Sequence, residues 1–282
     1  MNPPLSKTMP FALKALKGFC FFFLLSLLLI SCTSQQEKPF AFVVIGDHRP
    51  ADENLPPPEV FSKEMKSIEK LKPALIVDTG DLIFGVSKKK EVIERQYRDL
   101  FNVLSQFNIP IYPTVGNHEV ANNNLSYYIQ NFHRPTYYSF NYHNSHFIVL
   151  STEEKGEDGS IEGRQLAWLK QDLNRAQKAT NIFIFMHRPM FPKYTLQAMK
   201  YKSFPPERRD ELRNLFLRYS VKIVFAGHEH VYSKVLRDGI WYINSSGGGA
   251  PLYLPPEQGG FYHYVIVSVK GRSVKDQMVR FN

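Results

Sequence analysis

The stretch "FAFVVIGDHRP", Phe40 to Pro50, carries six apolar residues into Gly46 and then Asp47, His48 and Arg49. An apolar run this short, without polar alternation, is the pattern of a strand buried on both faces. A glycine at its end lets the chain turn sharply. The same grammar recurs in "ALIVDTGD" (74–81), "IPIYPTVGNHE" (109–119), "NIFIFMH" (181–187) and "VKIVFAGHEH" (221–230). Each run ends in Asp, Asn or His. In open α/β sheets ligands bind beyond the carboxyl ends of the strands, so the five endings are expected to converge on one point.

Three further runs, "HFIVLST", "IWYINSS" and "YHYVIVSV", also read as strands. Between the strands, 59–71, 88–107, 162–178 and 206–219 place apolar residues at three- and four-residue spacing, the period of helices. Strands alternating with helices predict α/β layering. From Val221 onward the chain turns strand-rich, which predicts a second sheet with hairpins. No internal repeat or low-complexity stretch interrupts the pattern. Pro-rich turns at 55–58, 204–206 and 255–256 read as surface loops. The aperiodic segment 188–206 is a long loop of the kind used as a binding loop or lid.

The N-terminus follows different rules. Lys7, Lys14 and Lys17 precede the apolar run "FCFFFLLSLLLI", Phe19 to Ile30. That run is short of the roughly 20 residues a bilayer span needs, and it reads as a secretory signal. "LISC", Leu29 to Cys32, resembles the lipobox of bacterial lipoproteins, which implies removal of 1–31 and lipid on Cys32. Residues 32–39 are then a lipidated tether and 40–282 the folded domain, anchored outside the cytoplasm at an outer membrane or cell surface. The chain has two cysteines, Cys20 and Cys32. On this reading the mature domain has no disulfide framework, thiolate ligand or thiol nucleophile. The chain carries +9, of which three charges are the signal lysines, leaving +6. A mildly basic domain suits an anionic substrate or surface. No basic block or aromatic–basic interleaving marks a nucleic-acid scaffold.

Carboxylate, amide oxygen and imidazole without thiolate suit divalent Zn, Mn, Fe or Ni. In "GHEH", taken as extended, His228 and His230 share a face and Glu229 points away. Two metals about 3.5–4 Å apart form a clamp for phosphoryl transfer.

The ordered set "GD…GD…GNHE…H…GHEH" resembles the calcineurin-like metallophosphoesterase superfamily. "VFAGHEHVYSK" and "NSSGGGAPLY" are similar to its purple-acid-phosphatase-like branch. The resemblance implies a four-layer α/β/β/α sandwich, two stacked mixed β-sheets flanked by helices. It also implies two divalent metal ions and a phosphate mono- or diester substrate attacked by a metal-activated water. Asp81 resembles the bridging carboxylate, one metal taking Asp47, Asp81 and His230, the other Asp81, Asn117, His187 and His228. His118 resembles the imidazole that contacts the phosphoryl group or protonates the leaving group.

Two departures stand out. Many members carry Asp-x-His in the first motif. Here Arg49 stands two past Asp47, and His48, one residue out of register, faces away if strand geometry persists. Arg49 offers donors only and cannot ligate. It has two readings: a bidentate phosphate ligand that partly replaces a metal's charge, or a salt bridge to Asp52 or Glu53. Phe84, three past Asp81, stands where relatives carry a ligating tyrosine or an aspartate. The first metal therefore keeps three side-chain ligands and the second four, and the first is expected to bind weakly. The rival expectation is a lipid-anchored surface binding protein that keeps the fold with little turnover.

Other residues have simpler expectations. His143 and His146 bracket a hairpin turn. His133 and Arg134 belong to a solvated loop or line the pocket, and His263 packs. Asp78 orients a ligand or satisfies turn backbone groups. Gly247–Gly249 permits close backbone approach near the site.

Overall fold

The computed structural model describes residues 38–120, 124–156, 159–193 and 204–281. The N-terminal apolar run, Cys32 and most of the 188–206 loop lie outside the described residues. Among those described, no helix is long and apolar enough to cross a membrane.

One sheet is built on β1 (Phe40–Ile45), which pairs in parallel with β2 (Leu75–Asp78). β3 (Ile111–Pro113) continues the parallel set. On the other side of β1 lie β10 (His263–Lys270) and β11 (Ser273–Arg280), both antiparallel to their neighbours. The second sheet has the order β4 (Tyr138–Tyr142), β5 (Ser145–Val149), β6 (Asn181–Phe185), β7 (Ile223–Ala226), β9 (Ile240–Ser245), β8 (Tyr232–Arg237). Its β5, β6, β7 and β9 are parallel.

Alternation along β1 shows the layers. Val43 and Ile45 join Phe61, Met65 and Ile68 of α1 (Glu59–Leu71), together with apolar residues of α2 (Lys90–Leu104) and α3 (Ser126–Phe132). Phe42 and Val44 point the other way, into a cluster with Phe147, Phe183, Phe185 and Phe225 of the second sheet. The Phe42 ring lies 5.1 Å from both Phe147 and Phe183. Truncating it to alanine would cost about 3–5 kcal/mol. On the far face of the second sheet, α4 (Gly163–Arg175) and α5 (Pro206–Arg218) bury Leu166, Leu169, Leu173, Leu212 and Phe216. The result is the expected four-layer α/β/β/α sandwich.

The strand-rich end of the chain is divided differently from the expectation. It does not form a sheet of its own: β7, β8 and β9 complete the sheet of β4–β6, whereas β10 and β11 return to β1. The sequence pattern misses β4, β8 and β11 as separate strands for a physical reason. β8 and β11 are edge strands with exposed polar residues, and β4, the edge of its sheet, is only half-buried. The helices end inside their predicted ranges, α2 being two residues shorter at its start and three at its end.

Candidate metal centre

Six side chains expected at the site all leave strand ends on one edge. Asp47 follows β1, Asp81 β2, Asn117 β3, His187 β6, and His228 and His230 β7. Four of them sit in the left-handed region: Asp47 (φ 57), Asp81 (φ 57), His228 (φ 80) and His230 (φ 52). Each such non-glycine residue costs roughly 1–3 kcal/mol, and packing around it holds the strain in place. Asp47 N donates to Gly80 O at 2.8 Å, and His228 N lies 3.0 Å from both carboxylate oxygens of Asp47. The extended geometry expected for "GHEH" is therefore replaced by two left-handed residues, which still aim both imidazoles at the site. Glu229 does point away, accepting from Asn244 Nδ2 at 2.9 Å.

Gly80 (φ 97) makes the turn before Asp81, whereas Gly46, Gly116 and Gly227 serve close approach. A Cβ on Gly227 would stand 2.4 Å from Asp47 Oδ2, and one on Gly116 2.3 Å from Asp81 Oδ1. Neither has a left-handed φ.

Four donors meet around His187, which is fully buried. Its Nδ1 lies 2.8 Å from Thr79 O and so carries the proton. Its Nε2 then presents a lone pair, 3.0 Å from Asn117 Oδ1, 3.1 Å from His228 Nδ1 and 3.3 Å from Asp81 Oδ1. Burial, with His187 and Arg188 nearby, pushes the His228 imidazole well below its usual range. Acceptors crowded around at most one shared proton form a set that a divalent cation satisfies. A second group, Asp47, Asp81 and His230, brings its ligand atoms within 4.8 Å of one another. His230 Nδ1 faces Pro251 O at 2.5 Å, which frees Nε2 toward Asp47 Oδ1 at 3.5 Å. Burial lowers His230 to about 4. Both donor sets fit divalent ions.

The two aspartates titrate in opposite directions. Burial and the Asp81 charge raise Asp47 well above the carboxylate range. Burial works the same way on Asp81, but His187, His118, His228 and Arg49 outweigh it and hold that carboxyl low.

Arg49 is buried beside this pair. Its Nε is 3.7 Å from Asp81 Oδ2, Nη1 donates to Pro50 O at 3.0 Å and Nη2 to Tyr253 Oη at 3.1 Å. It does not pair with Asp52, whose carboxylate accepts from Asn54 N, or with Glu53, so the simple loop salt bridge is overturned. Tyr253 is 43% exposed and stacks on His230, centroids 4.6 Å apart. Phe84 flanks the guanidinium at 5.9 Å and the His118 ring at 5.7 Å. His118 Nδ1 contacts Phe84 O, leaving Nε2 3.9 Å from Asp81 Oδ2.

Residues 40–232 match calcineurin-like phosphoesterase. The chain belongs to that family. It is 27% identical over 224 residues to purple acid phosphatase 23 of Arabidopsis thaliana, covering 67% of this chain and 47% of that one. It is 30% identical over 181 residues to the serine/threonine-protein phosphatase CPPED1 of Rattus norvegicus, covering 59% and 57%. The chain thus spans about half the length of these relatives. In fold it superimposes on a purple acid phosphatase from yellow lupin with a TM-score of 0.71 at 17% identity, over 87% of this chain and 52% of that one.

Within this calcineurin-like phosphoesterase domain His48 stands apart from the site. Its ring stacks on Phe61 at 3.8 Å, and Nε2 lies 2.7 Å from Asp78 Oδ2. Asp78 Oδ1 accepts from Gly80 N at 3.0 Å, so Asp78 steadies the turn that carries Asp81. The close approach expected at Gly247–Gly249 is present: Gly248 N donates to Gly46 O at 2.9 Å. The remaining candidates belong elsewhere. His143 stacks on Phe40, His146 pairs with Asp172 at 2.8 Å, and Arg134 lies over Tyr112 and Tyr138. His263 is fully buried.

Two positioning groups escape the sequence reading. Glu119 accepts from four backbone amides, Gly116, Asp81, Leu82 and Ile83, at 2.7–3.2 Å, tying the Asp81 turn to the Asn117 turn. Arg188 is held by two bonds to Glu153, 2.7 and 2.8 Å, with Nη1 3.5 Å from His228 Nε2. The signal for Glu119 was present, as an acid inside a buried strand-end motif. Nothing near Arg188 in sequence names its partner, 35 residues away.

Proposed function

We propose that the chain is a metal-dependent phosphoesterase acting on phosphate mono- or diesters, with a dinuclear site whose first metal is weakly held. The observation that carries this reading is the crowd of acceptors around His187 Nε2, formed by Asp81, Asn117 and His228. These four residues hold the tighter ion, and Asp47, Asp81 and His230 the looser one. Divalent ions bound there supply Lewis acidity toward phosphoryl oxygens and an activated water. Family membership and phosphatase relatives support the class of reaction.

The chain's own residues complete the site. Arg49, fixed by Tyr253 and Pro50, presents permanent positive charge beside Asp81 Oδ2. That charge contributes to phosphate binding and competes with a cation at the first group. His118 exchanges its proton at Nε2, the atom directed at the cluster, and delivers it to the leaving oxygen. Arg188 adds a cation on the opposite flank, beside His228. The intact donor set argues against a fold kept only for binding. The lipoprotein reading of "LISC" places the activity outside the cytoplasm, on a lipid-anchored chain.

The test is hydrolysis of 4-nitrophenyl phosphate and bis(4-nitrophenyl) phosphate by the chelated protein with added Mn, Zn, Fe or Ni. Turnover that needs metal and disappears in Asp81→Asn supports the reading. A folded, metal-loaded protein inactive on both esters refutes it.

A further inference from the structure

The strands of both sheets place the metal-ligand candidates at one end of the domain. The loops at the other end carry mostly basic side chains. The α4–β6 and α5–β7 connections and the β10–β11 turn bring Lys178, Arg218, Lys222 and Arg272 around a cavity of about 530 Å³. No acidic residue is among the described residues lining it. Lys270 lies beside Arg272 on the same turn, and both are exposed. The turn is fixed in place: Gly271 O accepts from Asn181 Nδ2 at 2.8 Å, so the cations sit on a rigid base. The acid in the nearby β8–β9 turn, Asp238, is engaged by Arg213 at 3.0 Å. By contrast Asp47, Asp78, Asp81, Glu119, Glu153 and Glu229 gather at the metal end and are buried.

Two further observations choose the partner. Lys38 and Pro39 lead into β1 at the basic end, because β1 starts there opposite Val269. The first described residues of the domain therefore lie on the basic side. Exposed leucines stand at both ends, Leu71, Leu217 and Leu236 at the basic end and Leu55 at the metal end with Val86 and Tyr253, so the basic end is distinguished by its cations and by the start of β1. Cations mixed with exposed leucines suit a lipid interface, where each Lys or Arg near an anionic surface is favourable and apolar tips enter the headgroup region. Among the described residues lining the cavity one aromatic, Tyr219, stands with these cations, where a base-stacking groove uses successive aromatic side chains.

We infer that the basic end of the domain docks on an anionic phospholipid surface, turning the metal end outward toward soluble phosphate esters. The inference rests on the lipid-anchor reading and is independent of the proposed catalysis.

The test compares amide hydrogen exchange of the mature chain, residues 32–282 acylated on Cys32, on two kinds of vesicle. One is phosphatidylcholine alone, the other contains phosphatidylglycerol. On the lipid-anchor reading the acyl chains enter both, so the difference reports the domain. Exchange in 176–180, 218–222 and 270–273 is expected to slow roughly tenfold on the anionic vesicles only. The effect should vanish in about 1 M salt, where the Debye length falls to about 3 Å. It should also vanish in Lys178→Glu/Arg272→Glu, whose exposed positions leave the fold intact, as a matching thermal midpoint would verify. Equal exchange on both vesicles, protection at the metal end instead, or a chain that stays with neither vesicle would overturn it. Protection of the same loops by duplex or single-stranded nucleic acid, without any by vesicles, would also overturn it.

Discussion

Arg49 Nε stands 3.7 Å from Asp81 Oδ2, while the other oxygen of the same carboxylate lies 3.3 Å from His187 Nε2. One carboxylate is shared between a fixed cation and the imidazole–amide corner. Replacing Arg49 by methionine removes the cation and keeps much of the volume. Turnover of a phosphate monoester should fall about 10- to 100-fold in kcat/KM, roughly 1.4–2.8 kcal/mol. Removing that charge should also tighten the weaker metal, read by calorimetric titration with Mn. If kcat/KM and the weaker Kd are both unchanged, Arg49 has neither role.

His48 gives the contrasting case. It is fully buried, and its partner is Asp78, 2.7 Å away. His48→Leu should cost about 1–3 kcal/mol in urea unfolding, because Asp78 Oδ2 loses its buried hydrogen-bond partner. His48→Gln keeps a donor and should recover part of that. Metal stoichiometry should be unchanged in the Gln variant. A lost metal with unchanged stability would make His48 a ligand.

Glu119 joins two ligand-bearing turns through four amide donors. In Glu119→Gln either amide orientation turns an NH₂ group against two backbone N–H groups. The expected loss is about 2–4 kcal/mol of stability, with weaker metal binding because the Asp81 and Asn117 turns lose their tie. Unfolding and metal titration of the same variant check both. Wild-type values in both would mean the amide network tolerates a donor there.

Glu64, on the buried face of α1, has no hydrogen-bond partner for either carboxylate oxygen. Burial raises it from 4.5 to about 9. The unfolded chain releases this proton near 4.5 and the folded chain keeps it until about 9. The folded state therefore binds more protons in that window, and stability falls as pH rises through it. Glu64→Gln removes the slope. Its advantage over the wild type should grow by about 1.4 kcal/mol per pH unit, reaching about 3 kcal/mol at pH 7. Urea midpoints at pH 5, 6, 7 and 8 read this, and a constant difference across the series would contradict it.

Much of the fold was legible because its buried strands are continuous apolar runs and its ligand candidates end them. That grammar marks the strand endings that carry Asp47, Asp81, Asn117, His187, His228 and His230, since parallel strands carry their endings to one edge, while the choice of these six as ligands comes from the family resemblance. The rest was hidden for identifiable reasons. β8 and β11 are edge strands with exposed polar residues, so hydrophobicity does not mark them. The left-handed backbone of Asp47, Asp81, His228 and His230 could not be read either, because neighbours distant in sequence impose it. The partners of Arg49 show the same limit: Tyr253 lies 204 residues further along the chain.

The most direct test is a Mn titration of the chelated protein, with bound metal and 4-nitrophenyl phosphate hydrolysis followed in the same samples. Expected are no turnover without metal, one tight and one weaker binding step, and loss of both binding and turnover in folded Asp81→Asn. Two equally tight ions would contradict the weakened first site. Hydrolysis that survives chelation, or metal bound at both steps with no hydrolysis, would contradict the metal-dependent phosphoesterase itself.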